Sequence, residues 1–399
     1  MIKKLFHGWT HLPKVSPLEG FFSRLLFAVL LLFTLRIGIS YTAEPHPVGL
    51  LKLLHAINDD RTWLTWLADA DIWSTYRGIF TLLLFLYVAG TGLPVVLPVL
   101  AVMHVLPFTL YNSQGFSHHG YQIVSCTLII QACAVVYYSV RQKLTLMPPD
   151  EKLRAWMFVQ AQVILTGMYF ISVFTKMDNS GGMWLWNSNN VALDMIKTFR
   201  QSYLNQFDPT FAGNPPEALW MLERPWLSRA FFGSGLFLEL FCILAIGNRW
   251  LGFIMGLSLL AMHRSIDWLM GGVAFINNEF LAFIYLVNLP FLMAWPLERL
   301  RALWVRRGVV AGALAGLVAS YWFNPAGKAA RAPADYAWDL IRSIEVWSSL
   351  EWAQWQSFGT FIQPVAITVV VGAAAGAALG AVVESMAGKR SSKENAPAA

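Results

Sequence analysis

The sequence predicts an all-α membrane protein, a polytopic transmembrane helical bundle of about ten spans with two long extracytoplasmic segments. Of its 399 residues, 56% are hydrophobic and only 13% are charged, which is too little polar surface to cover a soluble globule. The apolar residues fall in long blocks, and the basic residues form short clusters beside them. Such clusters are typical of cytoplasmic loops, so the net charge of +6 indicates a lipid bilayer and no nucleic-acid partner.

The apolar blocks are individually long enough to be transmembrane helices. A helix needs roughly 17 to 25 mostly apolar residues to cross the hydrocarbon core. The first block has no small-residue cleavage site after a short basic head, so we expect it to be retained as a span. The predicted spans are 22–40, 77–92, 94–111, 120–139, 155–175, 230–247, 250–264, 270–294, 308–323 and 361–383.

The basic clusters predict the orientation of the chain. With ten spans, the clusters at 3–14, 141–154, 299–307 and 389–390 all fall on one side of the membrane. Because Lys and Arg collect in cytoplasmic loops, this side and both termini are expected in the cytoplasm. The acidic loop 41–76 falls on the opposite side, which supports the same count.

The same span count brings polar residues from distant parts of the sequence to the extracytoplasmic face. His118 and His119 begin the fourth span, Lys176 ends the fifth and His263 ends the seventh, and Asp267 shares the face of His263 if that helix continues. Lys176 has two interpretations. One is an anchor whose amine snorkels to the interface. The other is a general base, since an apolar cavity and a neighbouring histidine disfavour the ammonium form.

Two acidic residues lie inside predicted spans. Glu279, with Asn277 and Asn278 before it, is a functional-site candidate, because an ionisable group at that depth needs a cavity or a partner. Its other interpretation is an ion-pair or hydrogen-bond clasp to another helix. Glu239 favours the clasp more strongly, with an arginine or a backbone amide as partner. His119 lacks a third ligand at a recognisable spacing, so we expect no metal site.

The end of the chain differs from residues 1–300, which form the predicted core. The ninth and tenth spans, within 301–385, carry glycines at every fourth position and are expected to pack on each other or on a second copy of the chain, a homo-oligomer. They flank an amphipathic extracytoplasmic segment within 324–360; residues 176–229 form the other long extracytoplasmic segment. Residues 386–399 are predicted to be disordered. The glycines are Gly308, Gly312, Gly316, Gly372, Gly376 and Gly380.

Three motifs carry a family resemblance. YFISVFTKMDNSGGMW resembles a segment of vitamin K-dependent gamma-carboxylases and of related bacterial HTTM-domain proteins, and it places the family's lysine on Lys176 and its aspartate on Asp178. SHHGYQ is similar to the family's Asn-His-x-Tyr motif, with His119 and Tyr121. GLFLEL through AMHRSIDWLMGGVAF is similar to an acidic helix followed by a histidine, and we place these on Glu239 and His263.

The resemblance implies a bacterial-type lyase of the inner membrane without the carboxylases' large lumenal domain. Lys176 would deprotonate reduced vitamin K, a menaquinol-like lipophilic cosubstrate, and the product formed with oxygen would allow carbon dioxide to add to a secreted peptide. His119 and His263 would orient or stabilise intermediates, and no metal is implied. The supporting residues would be Asp178, Tyr121, Glu239, Asp267, Asn278 and Glu279.

Two other functions are considered. One is a non-catalytic membrane protein, a transporter or the assembly or immunity partner of a secreted peptide, whose polar lining is Glu279, Asn277 and Asn278. The other is a lipid-modifying transferase that uses the outer segment, for which the sequence contains no acyl-transfer motif.

Overall fold

In the computed structural model the chain is all-α throughout the residues that the structure describes, and no strand occurs among them. These residues are 12–35, 65–112, 119–142, 148–206, 213–270, 275–300, 302–324, 336 and 352–394. Within these ranges, nine helices are long and apolar enough to cross a membrane, by length and composition. The predicted fold class, a polytopic helical membrane protein, is confirmed.

The chain divides into two compact units, Met1–Phe291 and Leu292–Ala399. Helix α12 (Leu289–Glu298) runs across the boundary, and the second unit contains α13 (Leu303–Phe323) and α14 (Trp352–Glu394). The helices of the first unit are α1 (Pro17–Thr34), α2 (Ala70–Ala89), α3 (Leu93–Asn112), α4 (His119–Gln142), α5 (Glu151–Asn179), α6 (Trp184–Asn187), α7 (Val191–Gln206), α8 (Pro216–Glu223), α9 (Pro225–Phe241), α10 (Arg249–Met270) and α11 (Ile276–Tyr285).

Capping residues explain where several of these helices begin and end. The Ser16 hydroxyl accepts a hydrogen bond from the Glu19 amide (3.1 Å) at the start of α1, and the Asp150 carboxylate accepts one from the Leu153 amide (2.8 Å) at the start of α5. Helix α2 ends at Gly90, whose φ of 77° favours glycine. These caps therefore define where α1 and α5 begin and where α2 ends.

Helices α3, α4 and α5 pack as antiparallel neighbours. The Tyr121 ring, at the start of α4, stacks on Phe108 near the end of α3, with centroids 4.4 Å apart. The Tyr138 hydroxyl, near the end of α4, donates to Asp150 at the start of α5 (2.5 Å). The start of α4 and the end of α5, where Lys176 lies, therefore share one end of the bundle, here called the Lys176 end.

The seventh predicted span, 250–264, is a helix, but it is not among the nine apolar ones. Helix α10 has 22 residues, which is enough to cross a bilayer. Its second half contains His263, Arg264 and Asp267, and these lower its mean hydropathy. The helix continues past His263 as far as Met270, so His263 and Asp267 do lie one turn apart on one face.

The eighth predicted span, 270–294, corresponds to the candidate span Ile276–Glu298, but its helix is interrupted: α11 ends at Tyr285 and α12 begins at Leu289. Asn288 in the break has a left-handed φ of 58°. The Tyr285 carbonyl, which has lost its helical partner, accepts a hydrogen bond from the Gln162 side chain (2.7 Å). A backbone break inside a membrane protein needs such a partner because lipid supplies none.

In the second unit, the two glycine-bearing helices pack on each other within the chain. A Cβ atom at Gly308 would overlap the Gly376 carbonyl, and one at Gly312 would overlap the Gly372 carbonyl. These pairings run in opposite directions along the two helices, so α13 and α14 are antiparallel. Of the two predicted alternatives, the structure therefore has the glycine faces covered within one chain, and a second copy would have to bind elsewhere.

The glycine contact gives a stability prediction. We expect Gly376→Leu to lower the free energy of unfolding by at least about 1–3 kcal/mol, because the new side chain would force two backbones apart. Gly359→Leu is the matched control on the same helix, since no atom lies within 4 Å of the position of its Cβ. Melting temperatures of the purified variants in detergent check this. Equal melting temperatures would contradict the glycine contact.

Two predicted segments are covered only in part. The amphipathic segment within 324–360 lies mostly outside the described residues, and α14 begins at Trp352 near its end. Part of the predicted disordered tail is helical, because α14 continues to Glu394. The remaining residues, 395–399, lie outside the described part of the chain.

Candidate functional site

Lys176 lies in the last turn of α5 and forms an ion pair with Glu239 of α9. The Lys176 side chain is 30% exposed and that of Glu239 is 10% exposed. The Trp184 ring also lies near the amine, with 5.5 Å between Nζ and the ring centroid. The amine is therefore partly exposed, the carboxylate is mostly buried, and an aromatic ring lies near the amine.

This arrangement corrects one part of the sequence argument. Lys176 was expected beside a histidine, a neighbour that disfavours the ammonium form. Its direct partner is instead the Glu239 carboxylate, a group of opposite charge. Glu239 does clasp two helices, as interpreted, but its partner is Lys176 and not an arginine or a backbone amide.

His263 lies behind this pair and is 2% exposed. Its Nε2 atom is 3.1 Å from the Tyr169 hydroxyl, and the same hydroxyl accepts a hydrogen bond from the Asn278 amide (3.4 Å). The ring stacks on Phe275, with 4.6 Å between centroids. Its Nδ1 atom has no hydrogen-bond partner among the residues that the structure describes. His263 thus connects α5, α10 and α11 through one short polar chain.

A second group of charges lies next to His263. Arg264 forms an ion pair with Glu279, whose side chain is fully buried, and another with Asp267 at 3.4 Å. The structure therefore agrees with the clasp interpretation of Glu279, since the pair joins α10 to α11. Asn277, two residues before Glu279, is also buried, and its Oδ1 atom has no hydrogen-bond partner within the described ranges.

These contacts form one connected region. The charges of Lys176 and Arg264 both act on His263, and those of Glu239 and Glu279 both act on the Tyr169 hydroxyl. Four helices, α5, α9, α10 and α11, therefore meet at the Lys176 end in a polar cluster. The cluster consists of Tyr169, Lys176, Glu239, His263, Arg264, Asp267, Asn277, Asn278 and Glu279.

The remaining predicted site residues are placed differently. Helix α4 begins at His119, at the Lys176 end, but the His119 side chain and all of His118 lie outside the described residues. Tyr121 is buried against Phe108 as a packing residue. Asp178 is exposed on the last turn of α5. In the described part of the chain, no group of three His, Cys, Asp or Glu side chains could hold a metal ion.

Sequence reasoning gave no role to Tyr169 or Arg264, which hold the cluster together. Tyr169 precedes Lys176 by seven residues, a spacing that puts both on one helix face. Arg264 directly follows His263 inside a mostly apolar helix, where a charged residue requires a partner. Both signals were present in the sequence.

The chain was compared with known proteins. No protein-family model matches it, no curated protein matches it and no solved structure is similar to it. The resemblance to the carboxylases therefore depends on the three motifs alone and stays a prediction.

Proposed function

We propose that this membrane protein is an enzyme of carboxylase type that takes a proton from a lipid-soluble, weakly acidic cosubstrate of the quinol class. The observation that carries the proposal is the Lys176–Glu239 pair, whose amine is partly exposed and whose carboxylate is mostly buried, beside a buried polar cluster. Such a pair offers a proton acceptor and a cation at one place. The resemblance adds oxygen and carbon dioxide as co-reactants and a secreted peptide as the modified substrate.

The ion pair assigns the two residues different roles. The quinol O–H bond breaks and its proton bonds to a Glu239 carboxylate oxygen, while the electron pair stays on the quinol oxygen. The Lys176 ammonium stabilises that developing negative charge. Lys176 is therefore proposed as the stabilising cation of a two-residue base, and no longer as the base by itself.

The surroundings of the pair suit a quinol. The Trp184 ring offers an aromatic face beside the amine, against which a quinol ring would stack. Behind the pair, the buried Tyr169–His263 hydrogen bond holds α5 against α10. His263 is therefore proposed as a positioning residue that fixes the helix carrying Lys176.

The proposed side of the membrane is extracytoplasmic, and the membrane is proposed to be a bacterial inner membrane. Arg141, Lys152 and Arg154 lie at the end of α4 and the start of α5, opposite to the Lys176 end. Basic residues mark the cytoplasmic side. The polar cluster would then face the compartment into which peptides are secreted.

A second candidate function is a non-catalytic membrane protein, a transporter or a partner of a secreted peptide. It is favoured by the fully buried Glu279 and by the partnerless Asn277 Oδ1 within the described residues. Buried polar groups inside a membrane protein often line a path for a polar ligand. This function would depend on Glu279 and would be indifferent to Lys176.

Bound quinone tests the proposal directly. We expect protein purified from quinone-containing membranes to retain a quinone that mass spectrometry of the lipid extract identifies. Trp184→Ala is expected to lower its occupancy several-fold, since an aromatic contact contributes about 0.5–1.5 kcal/mol beyond its area. Trp220→Ala is the control, because this half-exposed tryptophan of the same outer segment packs on Arg224 instead of on Lys176.

The result that would overturn the proposal is equally direct. Wild-type protein would carry no quinone, and menaquinol added to proteoliposomes would cause no oxygen uptake above that of empty liposomes. Equal quinone occupancy in the Trp184→Ala and Trp220→Ala proteins would place the quinone elsewhere in the molecule.

A further inference from the structure

A buried arginine without a carboxylate lies at the opposite end of the bundle from the polar cluster. Arg24 of α1 is only 7% exposed. Its Nε atom donates to the Val88 carbonyl in the last turn of α2 (3.2 Å), and no carboxylate forms an ion pair with it among the residues that the structure describes. The charges that act on Arg24 come from tyrosines and from another arginine.

Two acids at this end, Asp150 and Glu151 at the start of α5, act on Arg154 and not on Arg24. Residues 1–11 and 143–147, which lie outside the described ranges, contain no Asp or Glu. Glu19, the nearest acid on α1, is engaged by Arg249 (2.7 Å) and by Asn288 (2.9 Å). A buried cation without an anion is unfavourable by several kcal/mol, and one carbonyl at a helix end only partly offsets this. Among the residues that the structure describes, Arg24 therefore has no carboxylate as a counter-charge.

A second arginine faces the same space. Arg154 of α5 donates from Nε to the Val15 carbonyl (2.9 Å) and from Nη1 to the Pro149 carbonyl (2.6 Å). A guanidinium has five N–H donors. The described residues therefore accept one hydrogen bond from Arg24 and two from Arg154, which leaves most donors of both groups available.

Arg24 and Arg154 line one small pocket, which opens to the outside and has an enclosed volume of about 20 Å³, room for roughly one water molecule. Ser23, Tyr87 and Gln131 line it as well. The Tyr87 hydroxyl donates to Gln131 (2.9 Å), so two of the polar lining side chains are bonded to each other. The pocket thus combines two cations with neutral hydrogen-bonding groups.

Two glycines lie next to the arginine side chains, at positions where a Cβ atom would be crowded. A Cβ atom at Gly20 would lie 2.6 Å from Arg154 Cδ. One at Gly90 would lie 2.9 Å from Pro149 Cδ and 3.2 Å from Arg24 Nη2. A side chain at Gly20 would force the Arg154 stem to shift, and one at Gly90 would crowd Pro149 and Arg24.

We propose that this pocket binds the phosphate group of an anionic ligand between Arg24 and Arg154. Planar guanidinium groups bind phosphate oxygens through paired hydrogen bonds, and two of them match a group with several oxygens. The pocket lies near the ends of membrane-spanning helices, where lipid phosphates are found, so an anionic phospholipid is the favoured source. Free phosphate is the other source of the same chemistry.

The site is separate from the proposed function, and its test does not depend on that function. Purified full-length protein is titrated with phosphatidylglycerol, with phosphatidylcholine or with sodium phosphate, and the melting temperature and native mass spectra are recorded. We expect phosphatidylglycerol to raise the melting temperature and to remain bound, with phosphatidylcholine weaker. If only sodium phosphate has this effect, the ligand is soluble.

Substitutions assign the binding to the pocket. Arg24→Gln and Arg154→Gln are each expected to weaken phosphatidylglycerol binding on the order of tenfold, the loss of one charge-assisted pair. Lys152→Gln is the matched control, because this exposed lysine is two residues from Arg154 and outside the pocket. If Arg24→Gln does not fold, Arg154→Gln and the wild-type titrations still decide. Wild-type protein indifferent to all three ligands, or equal losses in Lys152→Gln and Arg154→Gln, would overturn the proposal.

Discussion

Replacing Lys176 with methionine is expected to lower menaquinol-dependent oxygen uptake by about 10²–10³-fold. The thioether keeps the length of the side chain but removes the cation that stabilises the quinol anion. Glu239→Gln is expected to lower the rate by about 10²–10⁴-fold, because the amide does not accept the proton. Both effects are measured in proteoliposomes with added menaquinol, at matched protein amounts.

Three further variants separate chemistry from folding. Lys197→Met removes an exposed lysine of α7 and is expected to leave the rate unchanged. Lys176→Met/Glu239→Gln removes both charges, so it should melt at a higher temperature than Lys176→Met, which leaves a carboxylate unpaired, yet remain inactive. Lys176→Arg keeps the cation and the ion pair and should retain part of the activity.

The arginine variant also tests the division of roles. An arginine side chain does not lose its proton in a protein, so it cannot be a base. A fully inactive but well-folded Lys176→Arg protein would return the base to the lysine amine. Full activity of Lys176→Met would end the enzymatic proposal.

The fold was predictable because lipid imposes long apolar blocks on any helix that crosses it. The break in the eighth span was not, since Leu286, Val287 and Asn288 are compatible with an apolar helix by hydropathy. The break depends on the Gln162 side chain, which lies on another helix. Hydropathy depends only on the local composition of a segment, so it cannot predict a hydrogen bond between two different helices.

The sequence was sufficient to predict several residues of the candidate site, but not which of their side chains contact each other. Counting spans placed Lys176 and His263 at one end of the bundle, and the structure has them in one cluster. The partner of Lys176 is 63 residues away on α9, and which side chain meets it depends on how far each helix is rotated. The rotation of a helix can be predicted from its sequence only when it has distinct apolar and polar faces, and a helix that is apolar on all sides has none.

The packing of the glycine helices shows the same limit. A glycine at every fourth position predicts a close helix contact but does not name the partner. Gly312 and Gly376 could each have met a second copy of the chain. In the structure they meet each other's helix, and the glycine spacing by itself does not distinguish the two outcomes.

Replacing Glu279 with glutamine is expected to destabilise the protein by about 1.5–3 kcal/mol, the contribution of a hydrogen bond to a charged group. The carboxylate is fully buried and ion-paired with Arg264, which keeps its second ion pair with Asp267 at 3.4 Å after the substitution. Glu223→Gln is the control, because the Glu223 side chain is 72% exposed and its pair with Arg224 is expected to contribute less than about 1 kcal/mol. Melting of the detergent-solubilised variants gives the comparison.

The same variant decides between the two functions. If Glu279 is a clasp between α10 and α11, Arg264→Lys should preserve much of the stability, because a cation remains opposite the carboxylate. Glu279→Gln protein that is stabilised by low temperature should then retain quinol turnover while Lys176→Met does not. If Glu279→Gln melts like wild type but abolishes function, and Lys176→Met is active, the buried carboxylate lines a ligand path and the non-catalytic function is the correct one.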